Sequence, residues 1–121
     1  MLVAIAVAIA SGLGGLSRYG ISNLVHGDDL PWATVGINVA GSFLLGILIV
    51  VPAAWMSDQM RTALGVGFLG GFTTFSTFSV QAFLDFEAGE PARAALYIAA
   101  SVLLGIGAAT AGYYSGRVLM H

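Results

Sequence analysis

The residues with chemistry to offer are hydroxyls and amides, not thiols or paired acids. Five of the seven residues from Thr73 to Ser79 carry a hydroxyl, in the run Gly70-Gly71-Phe72-Thr73-Thr74-Phe75-Ser76-Thr77-Phe78-Ser79. A glycine pair followed by such a cluster lets an apolar helix open without leaving backbone groups unpaired. At a break of that kind the second half-helix aims N–H groups at anions, while freed carbonyls coordinate cations. Phe75 and Phe78 are three apart and share a helix face. The positive edge of a Phe ring can meet an anion that has lost part of its water. Lipid-facing or packing rings are the alternative.

Asn38 and Ser42 stand one turn apart, and the Asn38 amide offers two donors and an acceptor. Two readings are open for it, an interhelical hydrogen bond that fixes packing or a donor to an ion. Tyr97 and Ser101 form a second pair one turn apart, with Thr110 further on. Arg18 either snorkels to an interface or draws an anion into a water-filled mouth. Enzyme chemistry finds no partners. The chain has no Cys, its two His residues (His26 and His121) lie outside the apolar stretches, and no H-E-x-x-H occurs. Gly65-Val66-Gly67-Phe68-Leu69-Gly70 fits the dinucleotide pattern G-x-G-x-x-G, with Asp85 twenty residues after Gly65. No strand is expected before it, so the match lacks its βαβ context.

The elements that hold these residues follow from the charges. Only 8% of the 121 residues are Asp, Glu, Lys or Arg, whereas 58% are hydrophobic and 17 are Gly. A small soluble domain cannot bury that much apolar surface, which excludes a soluble monomer. Four Arg, no Lys and a net charge of −2 give no footprint for nucleic acid. The charges cluster at Arg18, Asp28-Asp29, Asp58/Arg61, Asp85 to Arg93, and Arg117, leaving long uncharged stretches between them. About 20 apolar residues cross a bilayer. Four spans are therefore expected, near residues 2–25, 31–55, 62–84 and 94–116, in one four-helix transmembrane domain. Backbone groups in lipid must pair within their own segment, so these spans are helices. Pro31 and Trp32 suit a helix start at an interface, Trp55 the other end, and Asp28 or Asp29 a cap. Ala8-Ile9-Ala10 resembles a signal cleavage site, but the apolar run before it is short and lacks a basic start, so residues 2–25 read as the first span.

Lys and Arg on the cytoplasmic side normally orient a membrane protein. With four spans, Arg61 and Arg117 fall on one side and Arg93 on the other, with Arg18 near it. That near-balance gives little direction. Two oppositely inserted copies would close a two-fold assembly. Small residues four apart, at Ser11/Gly15, Gly67/Gly71 and Gly112/Gly116, suit close helix contact. Glycine-rich composition of membrane helices is the plainer account of the same pairs. The expected architecture is all-α: a polytopic membrane protein with four transmembrane helices, the third broken near Gly70-Gly71, assembled as an antiparallel dual-topology homodimer.

Gly14-Gly15-Leu16-Ser17-Arg18-Tyr19, Thr34-Val35-Gly36-Ile37-Asn38-Val39-Ala40-Gly41-Ser42-Phe43 and Gly67-Phe68-Leu69-Gly70-Gly71-Phe72-Thr73-Thr74-Phe75-Ser76-Thr77-Phe78 together resemble the CrcB/Fluc fluoride channel family. The resemblance covers essentially the whole chain. It implies a fluoride-selective channel in the inner (plasma) membrane, a multi-pass protein that exports F⁻ and lowers cytoplasmic fluoride. It implies two antiparallel pores at the interface of a dual-topology homodimer. It further implies a central structural Na⁺ on the backbone carbonyls of Gly70 and Thr73. The implied anion pathway is Asn38, Phe75, Ser76, Thr77, Phe78, Tyr97 and Ser101, with Arg18 matching the family's first-span arginine. Gln81 stands where many members carry an acid, and Gly105 stands where the fourth-span polar track would continue.

Two other functions fit four spans. A small multidrug-type cation/proton exchanger needs a carboxylate inside the membrane, and all six acids here are expected in loops. A non-transporting membrane subunit would explain the glycine pairs but not the hydroxyl cluster.

Overall fold

The structure is a computed structural model that describes residues 1–25 and 31–121. The suggested caps Asp28 and Asp29, and His26, lie outside the described residues. Among the described residues every regular element is helical. Helix α1 runs Leu2–Leu24 and α2 runs Trp32–Leu48, with Pro31, expected at the helix start, in the N-cap position. The third apolar segment, Asp58–Glu87, is composite. It starts as α3 (Asp58–Thr62), continues as a π-helical stretch (Ala63–Leu69) and α4 (Gly70–Phe72), and resumes after a gap as α5 (Phe75–Glu87). Helix α6 spans Pro91–Met120.

Three of the helical segments, Leu2–Leu24, Asp58–Glu87 and Pro91–Met120, are long and apolar enough to cross a membrane. The fourth, α2, is a shorter apolar helix of 17 residues, about 25 Å long. It stops at Leu48, before the expected boundary at 55, and the reason is local. Pro52 lacks an N–H and disfavours a helical Val51, so the chain leaves through turns. The C-terminal carbonyls of α2 are then taken by Arg61, whose guanidinium donates to Leu48 and, at 2.7 Å, to Val51. Ser57 caps α3 by accepting from the Met60 N–H at 3.2 Å, which holds Arg61 in place for that task.

The link from α5 to α6 is as tightly specified. Gly89 adopts φ 77°, the Glu90 N–H reaches the Asp85 carbonyl, and the Gly89 N–H reaches that of Phe86. This is a Schellman ending, in which glycine alone takes the left-handed position without strain. Pro91 then opens α6 at a position that needs no donor.

Helix α2 packs chiefly on α6, α1 packs on the first half of the third segment, and α5 packs on α6. Glycines set the closeness of these crossings. A methyl at Gly14 would strike the Phe68 carbonyl, one at Gly71 the Ser11 carbonyl, and one at Gly112 the Phe43 carbonyl. The small-residue pairs thus serve contacts within the chain. Few side chains are fully buried; Val35, Ala82 and Tyr97 form a small core with Val39, Phe78 and Ile98 around it. Leu2, Leu16, Leu103 and Leu119 are all well exposed, the pattern of helices whose outer faces meet lipid.

Candidate functional site

The third segment opens at Thr73-Thr74, not at the glycine pair. Gly70 and Gly71 are helical, whereas Thr73 (φ −86°, ψ 158°) and Thr74 (φ −148°, ψ 118°) are extended. The expected break near Gly70-Gly71 is corrected by about one turn. Gly71 is needed for the approach of Ser11, and that approach requires an intact helix. No sequence signal separates the two positions unless Thr74 is read as an N-cap.

Asn38 holds the break open. Its Nδ2 donates to the Thr74 carbonyl at 3.0 Å, and its Oδ1 accepts from the Thr74 N–H at 2.8 Å. One side chain thus satisfies both backbone groups of an extended residue, in a setting where an unpaired group is costly. Thr74 in turn caps α5: its Oγ1 accepts from the Thr77 N–H at 3.2 Å and donates to Thr77 Oγ1 at 3.0 Å. These two captures have a consequence for the carbonyls. A continuous helix would give the Thr74 N–H to Gly70 and the Thr77 N–H to Thr73. Both donors now go to side chains, which frees the carbonyls of Gly70 and Thr73. The Gly71 carbonyl between them is not free, since Arg18 Nε donates to it at 3.2 Å.

Both freed residues line an open cavity of about 290 Å³, together with Asn38, Ser42, Thr74 and Phe75. No group of three His, Asp or Glu side chains suited to a metal occurs among the described residues. A cation at this place would meet neutral oxygen donors, and the donor chemistry fits a weakly held monovalent ion.

On the other side of the break lies an aromatic and polar seam between α5 and α6. The rings of Phe75 and Phe78 are 5.7 Å apart between centroids, and Phe78 and Tyr97 are 5.1 Å apart. Tyr97 is buried and Phe78 half-buried, but Phe75 is 78% exposed and projects from the chain beside the polar cavity. The Tyr97 hydroxyl donates to Gln81 Oε1 at 2.8 Å. Ser101 Oγ is buried with no hydrogen-bond partner. Ser76, Thr77 and Gln81 line a second open cavity, of about 300 Å³.

The candidate residues therefore fall in two neighbouring groups. Asn38, Gly70, Thr73 and Phe75 meet at the break, and Phe78, Tyr97 and Ser101 follow the seam. Arg18 belongs to the first group through its bond to Gly71, and it is half-buried. Three participants were not among the candidate site residues: Thr74, Gln81 and the Asp85–Arg93 pair. Thr74 could have been found as a cap, since Thr followed three residues later by another polar residue is a helix-start pattern. The expectation that all acids lie in loops is also corrected. Asp58 is in α3, and Asp85 and Glu87 are in the last turns of α5. They sit at helix ends, and Asp85 is paired with Arg93 at 3.6 Å, so among the described residues no lone carboxylate occupies the middle of a span. The G-x-G-x-x-G match falls on the π-helical stretch, with no strand before it among the described residues.

The chain matches the model of the family described as CrcB-like protein, Camphor Resistance (CrcB), over residues 5–113. Three relatives bear the name fluoride-specific ion channel FluC. That from Hydrogenovibrio crunogenus is 39% identical over 122 residues, covering 97% of this chain and 92% of the relative. That from Coxiella burnetii is 41% identical over 119 residues, covering 93% and 96%. That from a Methylobacterium species is 47% identical over 110 residues, covering 88% and 89%.

Proposed function

This chain belongs to the CrcB family, and on that premise we propose that it is a fluoride-specific ion channel, a multi-pass membrane protein and not an enzyme. The observation that carries the site is the clamp of Asn38 on Thr74, which opens a membrane helix while keeping both backbone groups of Thr74 paired. Fluoride is small and strongly hydrated, so a path across lipid must replace its water with donors. Asn38, Ser76, Thr77 and Ser101 offer donors without a fixed charge, and the Tyr97 hydroxyl becomes one when it turns from Gln81. Binding then remains strong enough for entry and weak enough for exit. The edges of Phe75 and Phe78 add a weakly positive surface where hydrogen-bond donors are sparse.

The functional unit of this reading is an antiparallel homodimer with four spans per chain and two pores along the shared interface. Support comes from the cavity at the break. The freed carbonyls of Gly70 and Thr73 belong to residues that line this cavity with Ser42, open to the outside of a single chain, and polar groups facing lipid without partners are costly. A second copy covers them. The same arrangement gives the freed carbonyls a purpose: two from each chain, at Gly70 and Thr73, would hold a structural Na⁺ across a two-fold axis. When bound, that ion adds a fixed positive charge between the pores. Arg18 fixes the intervening Gly71 carbonyl so that the two others keep their direction.

The test is fluoride efflux from liposomes containing the purified protein, read with a fluoride electrode. Efflux far above that of empty vesicles, with chloride retained, is expected. Efflux at the empty-vesicle rate from folded protein overturns the reading. Sodium is tested separately by exchanging it for a large organic cation on both sides, which is expected to destabilise the dimer and slow efflux together.

A further inference from the structure

Among the described residues, three buried side-chain polar atoms have no hydrogen-bond partner: Asp85 Oδ2, Arg93 Nε and Ser101 Oγ. All three lie on one seam. Arg93, Tyr97 and Ser101 are four apart on α6 and so share a face, as do Thr77, Gln81 and Asp85 on α5. The Tyr97–Gln81 hydrogen bond and the Arg93–Asp85 ion pair join the two faces. Buried polar atoms are nearly always paired, and a partnerless one marks a place for water or an ion. Two of them lie beside the loop at residues 88–90 and the third is a buried hydroxyl about two turns further along α6, with the Tyr97–Gln81 bond between.

The pair at the outer end of the seam is loose. Arg93 Nε and Asp85 Oδ1 stand 3.6 Å apart, beyond hydrogen-bonding reach, and the side chains are 35% and 18% exposed. A tight bidentate fork would engage two guanidinium N–H groups and both carboxylate oxygens. This one leaves Arg93 with donors to spare and Asp85 with an unused oxygen.

We propose that Arg93 and Asp85 form the ionic mouth of the anion path. Arg93 captures fluoride from water, and Asp85 holds the guanidinium and cancels enough of its charge for the anion to move on. The inference rests on the fluoride-channel reading and extends it to two residues that no pore assignment includes. The chemistry follows from the signs. Without Arg93, an unpaired carboxylate repels anions at the entrance; without Asp85, an unpaired guanidinium attracts them. Capture governed by charge falls with ionic strength, because salt screens it.

The experiment measures initial fluoride efflux from liposomes, at low and at saturating fluoride, in low and high salt. Arg93→Gln is expected to lower the low-fluoride rate by roughly threefold, and Asp85→Asn to raise it by a similar factor, both at low salt. Both effects shrink in high salt. Rates at saturating fluoride change little for Arg93→Gln and fall for Asp85→Asn, because release becomes slower. Arg93→Lys keeps the charge and is expected to keep the salt dependence. A purely structural pair predicts otherwise, since either substitution breaks the same contact. If Arg93→Gln and Asp85→Asn change the low-fluoride rate in the same direction, or not at all, the inference is overturned. An inert wild-type protein would instead overturn the channel reading itself.

Discussion

Replacing Asn38 by Ala should close the third helix. The side chain makes two hydrogen bonds to Thr74, at 3.0 Å to the carbonyl and 2.8 Å from the N–H. A buried N–H left without a partner costs about 1–3 kcal/mol, and the lost bond to the carbonyl adds about 0.5–1.5 kcal/mol if nothing rearranged. One of the two has a fallback. The Thr74 N–H can return to the Gly70 carbonyl, the partner that a continuous helix would give it. The net loss should therefore be near 0.5–1.5 kcal/mol, that of one bond to the Thr74 carbonyl, which as the N-cap carbonyl of α5 keeps the first bond of that helix. The structural effect is larger than the energetic one, because the recovered bond removes one of the two freed carbonyls. The assay is chemical unfolding of the purified protein in detergent, with hydrogen exchange at the Thr74 amide and fluoride efflux from liposomes. Stability should fall by the stated amount, sodium should no longer stabilise the protein, and efflux should drop. Asn38→Asp sharpens the case. It keeps an acceptor for the Thr74 N–H but faces the Thr74 carbonyl with a second oxygen, so it should be no better than Ala. Asn38→Ala with stability within ~0.5 kcal/mol of wild type, unchanged Thr74 exchange and normal efflux would refute the clamp.

Three further substitutions separate packing from permeation. Gly14→Ala drives a methyl into the Phe68 carbonyl and should cost about 3 kcal/mol, whereas Gly12→Ala meets open space and should leave the unfolding midpoint unchanged. Phe75→Ile changes a side chain that is 78% exposed in the single chain, so the fold of the protomer should survive. Efflux should fall roughly three- to tenfold, the equivalent of the ~0.5–1.5 kcal/mol that an aromatic-edge contact is worth. Ser101→Ala removes a buried hydroxyl that has no partner, so stability should hold or rise slightly while efflux falls. A joint fall of stability and efflux in Ser101→Ala would mean that the hydroxyl has a structural bond.

Much of the architecture was legible because lipid narrows the choices. Long uncharged stretches can only be helices there, and Pro31 marks where one of them starts. The helix break was legible in kind but not in position. Gly70-Gly71 and the hydroxyl run both suggest an opening, and composition cannot say which of them yields. The answer depends on α1, because Gly71 must stay helical for Ser11 to pack against it, and that contact joins residues sixty positions apart. The end of α2 was hidden for the same reason. Pro52 advertises a stop, but the capture of the Leu48 and Val51 carbonyls by Arg61 is a tertiary event. Asn38 was read as either a packing residue or a donor to an ion. Its two bonds to Thr74 show the first role, and its place on the cavity wall keeps the second in view.

The four arginines explain how an anion path can work with so few charges. Arg18 is turned to the Gly71 carbonyl, and Arg61 caps α2 through Leu48 and Val51. Arg117 lies 5.8 Å from the centre of the Tyr113 ring, and Arg93 stands beside Asp85. Each arginine therefore has a partner inside the fold; Arg18, the one at the break, is held by the Gly71 carbonyl, and none stands unpartnered in the buried part of the seam. A lone buried arginine there would bind fluoride tightly, and an ion held tightly leaves slowly. Neutral donors avoid that trap, but they offer little attraction at a distance, since dipoles act only at close range. Capture from dilute solution then has to come from charge placed where water can screen it, at the mouth. Arg93 fits that position, and Asp85 keeps it from becoming the trap that the interior avoids.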